Sequence, residues 1–245
     1  EVDGEGEPVT VVAHGLTNSC KDLAMLTPLI AGSKVRFCFR GHGESDAPAT
    51  GYRFTDFASD LEAVAAAFGA TRAVGTSLGA GAICRLLSED PARFEKLVFL
   101  LPAGLDVPLD DSGAFLETAE ILETYPKDEA IERILARHDS IERYTQMPWM
   151  REASELIWAD VNPKAAAQAI REVIRDSPVA DRELLRPVQA PALIVCAEND
   201  PIHPVVIGEM LAEVLPNAEL HVLRDHAALL EAIPMLVGRA QEILA

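Results

Sequence analysis

The sequence has few cations, few cysteines and no long apolar run, and each shortage excludes classes of protein. It holds 21 Lys and Arg against 39 Asp and Glu, which gives a formal net charge of −18. An anionic surface of this kind repels phosphate backbones and anionic lipid, so we expect neither nucleic acid nor a membrane as a partner. Apolar runs of transmembrane length, roughly 20 residues, are also missing from the sequence.

The four cysteines are too scattered to form a structural framework. Cys20, Cys38, Cys84 and Cys196 show no paired spacing, and Cys38 and Cys196 stand in apolar, strand-like runs. In such runs cysteine behaves as a small buried hydrophobe. We therefore predict neither disulfides nor a thiolate metal site, and we predict a reducing, cytoplasmic location.

Apolar residues are plentiful, at 49% of a chain of 245 residues, which is enough for the core of one large domain. Strand-like apolar runs alternate with runs of helical period, and this alternation predicts an α/β fold with a mostly parallel sheet and helices on both faces. The predicted strands are 9–13, 35–39, a short strand ending at Val74, 97–101, 192–196 and 219–223. The predicted core helices are 21–30, 55–68, 78–89 and a last helix near the end of the chain.

The alternation stops between residues 105 and 186, where no convincing strand is found. Short helical stretches are predicted there instead, at 113–124, 127–137, 149–159 and 164–176. We interpret 105–186 as a helical lid inserted between two parts of the core, 1–104 and 187–245. The large apolar side chains of this lid are Tyr125, Tyr144, Met147, Trp149, Met150 and Trp158.

One pentapeptide points to chemistry. Gly75-Thr76-Ser77-Leu78-Gly79 has the pattern G-x-S-x-G and lies between a predicted strand and a predicted helix. In a nucleophile elbow of this pattern, the serine occupies a strained turn that presents its hydroxyl above the edge of the sheet. Small neighbours are needed because strand and helix approach closely there. The sequence therefore predicts a nucleophilic serine at position 77.

Four further segments, taken with this elbow, resemble the α/β-hydrolase superfamily. Residues 14–16 (HGL) are similar to its oxyanion loop, and residues 40–45 (RGHGES) to the turn after its next strand. Residues 197–204 (AENDPIHP) are similar to the loop that bears its acid. The segment 226–234, with its histidine, glutamate and proline, is similar to the segment that bears its catalytic histidine. All five matches come in the family's order and span nearly the whole chain.

The resemblance implies a catalytic triad on this family's fold. Ser77 would be the nucleophile, His226 the general base and Asp200 the carboxylate behind the histidine, in the chain order that this fold uses. Histidine suits the role of base because its ordinary pKa lies near neutral pH. The backbone N–H groups of Leu16 and Leu78 would form the oxyanion hole, and no cofactor is implied.

Other residues compete for these roles. Glu198 and Asp106 are alternative acids, and His203 follows the acid loop, where it could line the rim of the pocket. His14 and His42 are interpreted as structural residues of their turns. Asp200 and His203 are three residues apart, but no further ligands cluster with them, so no metal site is predicted.

The resemblance implies hydrolysis of a carboxylic ester, or of a lactone or thioester, through an acyl-enzyme. The apolar lid favours a small to medium apolar substrate, and a serine in place of an aspartate disfavours haloalkane dehalogenase and epoxide hydrolase chemistry. Alternatives are a C–C bond hydrolase or enol-lactonase of aromatic degradation, and a cofactor-free haloperoxidase or perhydrolase. A member that only binds a ligand is a more remote alternative. The oligomeric state and the natural substrate are not encoded in any motif.

Overall fold

The computed structural model describes residues 1–21, 24, 27, 30–108, 113–137, 140, 145, 149–200, 202–225, 238–239 and 242–243, without the side chains of residues 149, 150 and 153. Its strands are β1 (Val2–Asp3), β2 (Val9–Ala13), β3 (Ser33–Phe37), β4 (Arg72–Thr76), β5 (Lys96–Leu100), β6 (Ala192–Ala197) and β7 (Ala218–Leu223). Its helices are α1 (Phe54–Ala67), α2 (Leu78–Glu89), α3 (Gly113–Thr124), α4 (Lys127–Leu135), α5 (Trp149–Ala159), α6 (Pro163–Val173) and α7 (Val205–Val214). A short 3₁₀ helix spans Arg182–Leu185.

These strands form one sheet in the order β1-β3-β2-β4-β5-β6-β7. Every neighbouring pair is parallel except β1 with β3. The central strands β2, β4 and β6 are almost wholly buried, as expected where helices cover both faces of a parallel sheet. The predicted α/β-hydrolase fold is therefore confirmed.

Most predicted elements occur within one or two residues of their expected bounds, but three points differ. The strand predicted at 35–39 is β3, two residues earlier, because the Phe39 N–H donates to the His14 Nε2 atom at 3.0 Å instead of to a strand. The helix α7 was not predicted. The predicted helix 21–30 and the last predicted helix lie largely outside the described residues.

The first three residues of α7 are β-branched and the helix contains a glycine, so local propensity does not indicate a helix there. Gly208 is required for close packing, since a Cβ atom there would lie 2.2 Å from the Cys196 Sγ atom on β6. Tertiary packing thus overrides the weak helix propensity of the segment.

Helices α3 to α6 all lie between β5 and β6 along the chain. They share a small apolar core of their own, in which Ala119 and Leu122 of α3 accompany Ala166 and Ile170 of α6. The predicted lid, 105–186, covers these four helices, and its boundaries stay a prediction. Among the described residues no helix is both long and apolar enough to cross a membrane.

The junction of β2 with α2 is the tightest backbone approach near the elbow. A Cβ atom on Gly79 would lie 2.3 Å from the carbonyl oxygen of Ala13, and that oxygen belongs to the rigid central sheet. Gly79 itself has an ordinary negative φ, so only space requires the glycine here.

We expect Gly79→Ala to lower the free energy of unfolding by about 1–3 kcal/mol, because backbone must shift to admit the new methyl group. Gly104→Ala is the matched control, since the nearest heavy atom to its added Cβ would be Pro178 Cδ at 3.6 Å. The control should stay within about 0.5 kcal/mol of the parent in urea unfolding. Equal stability of the two variants would contradict the packing argument.

Candidate active site

Ser77 occupies the turn between β4 and α2 in a strained conformation. Its φ is +49° and its ψ is −107°, values that a residue with a side chain rarely adopts. Its N–H donates to the Leu100 carbonyl oxygen at 3.0 Å, which fixes the turn to the neighbouring strand. Gly75 has to be small, because a Cβ atom there would lie 2.6 Å from the carbonyl carbon of Gly79. The local geometry is that of a nucleophile elbow.

Asp200 lies in the loop that follows β6, two strands away from the elbow. Its side chain is only 2% exposed. One carboxylate oxygen, Oδ1, accepts the N–H groups of Ile202 at 2.9 Å and His203 at 3.1 Å. These bonds orient the carboxylate and leave its second oxygen for a side-chain partner.

That partner is the imidazole of His203. Its Nδ1 atom lies 2.6 Å from Asp200 Oδ2, and its Nε2 atom lies 3.1 Å from the Ser77 hydroxyl oxygen. A carboxylate only accepts hydrogen bonds, so Nδ1 bears the proton and Nε2 is left to accept from the serine. The carboxylate, imidazole and hydroxyl thus form a continuous hydrogen-bonded chain.

The predicted base, His226, lies outside the described residues, so the structure does not test it. The sheet still bears on its position, because Ala197 at the end of β6 pairs with Leu223 at the end of β7. Asp200 and His226 each come three residues after that pair. His226 as base therefore stays a prediction, with the register of the two strands in its favour.

Sequence reasoning weighed His203 only as a residue of the pocket rim or as an isolated metal ligand. The available signal was its position three residues after Asp200. An aspartate that accepts the N–H groups two and three residues further on forms a tight Asx-type turn. Such a turn brings the side chain of the third residue back toward the carboxylate, as His203 shows.

The residues predicted for the oxyanion hole lie beside the serine. Leu78 is the first residue of α2, so its N–H has no acceptor within the helix. Leu16 and Leu78 line one cavity together with Ser77. The Gly79 N–H donates to the His14 carbonyl oxygen at 3.1 Å and so joins the elbow to the loop of Leu16. Their role as oxyanion donors stays a prediction.

Two buried histidines hold the loop of Leu16 in place. His14 Nδ1 lies 2.7 Å from the Gly15 carbonyl oxygen, to which it donates. His42 Nδ1 donates to the Arg40 carbonyl oxygen at 2.8 Å, and its Nε2 atom accepts the Thr17 N–H at 3.2 Å. Thr17 needs this support because its φ is +65°.

Both of these rings are kept neutral. Burial, with a smaller contribution from the neighbouring His42, lowers the pKa of His14 to about 3. Burial also lowers the pKa of His42. A protonated ring could not accept a hydrogen bond at Nε2, so the neutral form is the one that fits both contacts. The structural interpretation of His14 and His42 agrees with these bonds.

The alternative acids do not contact the imidazole of His203. Asp106 faces Arg182, with 3.6 Å between its Oδ1 atom and the guanidinium NH1 atom. Glu198 is exposed. Within the described part of the chain, no group of three or more His, Cys, Asp or Glu residues is arranged to hold a metal ion.

A narrow apolar cavity opens at Ser77. About 30 Å³ of its space admits the centre of a water molecule. Phe54, Phe115 and Val173 contribute most of its bulky apolar wall. A cavity of this size and lining fits a small apolar group next to the serine.

A strained serine elbow at the carboxyl edge of a parallel sheet, facing an acid loop after β6, defines a class of hydrolytic enzymes. The sequence profile described as the alpha/beta hydrolase family matches residues 10–232. The chain belongs to the alpha/beta hydrolase family, and it is a hydrolase.

Solved structures share the fold at low sequence identity. A hydrolase from Pseudomonas aeruginosa PA01 aligns over 100% of this chain and 93% of its own, with 21% identity and a TM-score of 0.80. An esterase from Exiguobacterium antarcticum aligns over 100% and 94%, with 18% identity and a TM-score of 0.79. The enol-lactonase from Burkholderia xenovorans LB400 aligns over 100% and 95%, with 19% identity and a TM-score of 0.79. At these sequence identities, the structural similarity shows only that the fold is shared.

The neutral state of His14 makes stability depend on pH. Its pKa is about 3 in the folded protein against 6.5 ordinarily, so between these values the unfolded chain binds one proton more. The stability that the neutral His14 ring contributes is therefore fully present above its ordinary pKa of 6.5. It falls as the pH is lowered toward the pKa of about 3 in the folded protein. We expect His14→Asn to reduce the slope of unfolding free energy against pH by up to about 1.4 kcal/mol per pH unit.

Urea unfolding between about pH 6 and about pH 4 measures this slope. The control is His221→Asn, at a partly exposed position on β7. An unchanged slope in the His14 variant would contradict the assignment of a neutral, buried ring.

Proposed function

We propose that the protein is a serine hydrolase that cleaves a carboxylic ester of small to medium apolar character through an acyl-enzyme. The observation that supports this most directly is the hydrogen-bonded chain from the Asp200 carboxylate through an imidazole to the Ser77 hydroxyl. A serine hydroxyl needs such a base within hydrogen-bond reach to become a nucleophile at neutral pH.

In the proposed reaction Ser77 Oγ attacks the ester carbonyl carbon while the imidazole takes its proton. The N–H groups of Leu16 and Leu78 bind the oxyanion of the tetrahedral intermediate. Collapse expels the alcohol, which takes the proton from the imidazolium. Water then attacks the acyl-enzyme with the same imidazole as base, and the acid leaves as Ser77 regains its proton.

Two histidines are candidates for that imidazole, and different observations support them. His203 makes both required contacts in the structure. His226 is assigned by the resemblance, and it follows β7 at the same distance as Asp200 follows the paired strand β6. A single hydroxyl proton has one acceptor, so the two assignments exclude each other for a given turnover.

We propose small molecules as the substrates and the cytoplasm as the location. The four cysteines are free, and Cys84 and Cys196 are buried, which suits a reducing compartment. The narrow cavity at Ser77 favours small groups on the side of the ester that enters it.

Ser77→Ala should abolish ester hydrolysis, with a loss of kcat on the order of 10⁴-fold or more, because no other group can form the acyl-enzyme. A fluorophosphonate probe should label the parent protein at Ser77 and leave the variant unlabelled. Circular dichroism controls for folding. Absence of labelling in folded parent protein would instead favour a member that only binds its ligand.

The same preparation should be assayed on a panel of esters, lactones, enol-lactones and vinylogous diketones, with peracid formation measured separately. We expect the highest kcat/KM on simple esters with short apolar acyl groups. A higher value on enol-lactones or diketones would move the assignment to those chemistries, while labelling of Ser77 would still support the shared nucleophile.

The two histidines are separated by His203→Ala and His226→Ala. We expect one variant to lose kcat on the order of 10⁴-fold or more and the other to stay within about tenfold of the parent, because only one ring can be the base. The variant with the large loss identifies the base. His221→Ala is the control for a histidine outside this arrangement. Small losses in both variants would contradict a single histidine base.

A further inference from the structure

The cavity at Ser77 has a single charged group among its described lining residues, the carboxylate of Asp176. The other lining residues are Leu16, Phe54, Ser77, Leu78, Gly81, Ala103, Gly104, Val107, Phe115, Val173 and Pro178. None of the described lining residues is a lysine, an arginine or a histidine. Asp176 therefore brings a carboxylate to the described wall of the cavity, and no described side chain of that wall is a cation.

Asp176 is fixed in position by the start of a helix. Its Oδ2 atom accepts the Phe54 N–H, the first of α1, at 2.9 Å, while its own N–H donates to the Val173 carbonyl oxygen at 3.1 Å. A carboxylate at a helix N-terminus is a favourable cap. This contact stabilises the carboxylate beside apolar side chains and holds it at the start of α1.

The position of this charge has a consequence for substrates. A carboxylate is anionic at neutral pH, and it repels a second anion most strongly where apolar walls exclude water. The net charge of −18 adds a repulsive field over the whole molecule. A substrate whose acyl chain ends in a carboxylate would have to place that charge against Asp176, without a lysine or arginine from the described wall.

We propose that this cavity selects uncharged acyl groups and excludes anionic ones, and that Asp176 is the residue that determines this specificity. The inference rests on the proposed ester hydrolysis, since it concerns the substrate of the same serine. It narrows the substrate class to neutral esters, and it sets the enzyme apart from hydrolases that bind dicarboxylic monoesters or carboxylated lactones.

The test compares two esters of matched length, ethyl levulinate and monoethyl succinate, which differ chiefly by a terminal methyl ketone in place of a carboxylate. Release of the acid is followed by chromatography at neutral pH. We expect the parent to prefer the neutral ester by more than tenfold in kcat/KM. Asp176→Asn should reduce that preference by about tenfold, because the like charge is gone while the amide oxygen can still accept the Phe54 N–H.

Glu172→Gln is a closely matched control. Glu172 lies in α6, four residues before Asp176, and its Oε2 atom accepts the Tyr52 N–H at 2.9 Å just before α1. It is not among the lining residues of the cavity. Both variants remove one negative charge from the same region and keep a capping oxygen. An effect of the overall field would appear in both, whereas an effect of the cavity wall should appear only in Asp176→Asn.

Each outcome decides between these explanations. A reduced preference in Asp176→Asn alone supports the proposal, and the same reduction in both variants overturns it in favour of the overall field. An unchanged preference in Asp176→Asn, or a parent that hydrolyses both esters equally well, also overturns it. If neither ester is hydrolysed in a manner that depends on Ser77, the proposed ester hydrolysis fails, and that result is distinct from a loss of selectivity.

Discussion

The close approach of α2 to the loop after β2 is the constraint on which the candidate site depends. Gly79 lets the helix touch Ala13, and its N–H donates to the His14 carbonyl oxygen. That one contact sets the distance between the elbow of Ser77 and the loop of Leu16. Any larger residue at position 79 would move the elbow away from the loop of Leu16, whose N–H is one of the two proposed to stabilise the oxyanion.

The sequence predicted an element best where a motif and the hydrophobic periodicity indicated the same element. The helix Leu78–Glu89 was predicted with its observed bounds, because the elbow fixes its start and Asp90-Pro91 fixes its end. The bounds of β2 were also correct. Elements that depend on tertiary contacts are harder to predict. Helix α7 packs through Gly208 against Cys196, and the hydrophobic periodicity of the sequence contains no sign of that contact.

The candidate site also combines residues that a sequence motif identifies with one residue that only a tertiary contact identifies. Ser77 and Asp200 could be located from the sequence, because each stands in a segment with a recognisable pattern. The ring of His203 could not, because its contact with Ser77 joins residues 126 positions apart and follows from how two loops meet above the sheet. The chain holds six histidines, and their order along the sequence does not tell which ring reaches the hydroxyl.

The caps that α6 and the turn after it provide for α1 also bear on how a substrate could reach the serine. Glu172 and Asp176 hold the backbone of Tyr52 and Phe54, so the end of the inserted helices that precedes β6 is tied to the core. Pulling that end away would leave two N–H groups of a helix start without their acceptors. Any displacement of that end of the inserted helices from the core therefore costs both of these hydrogen bonds.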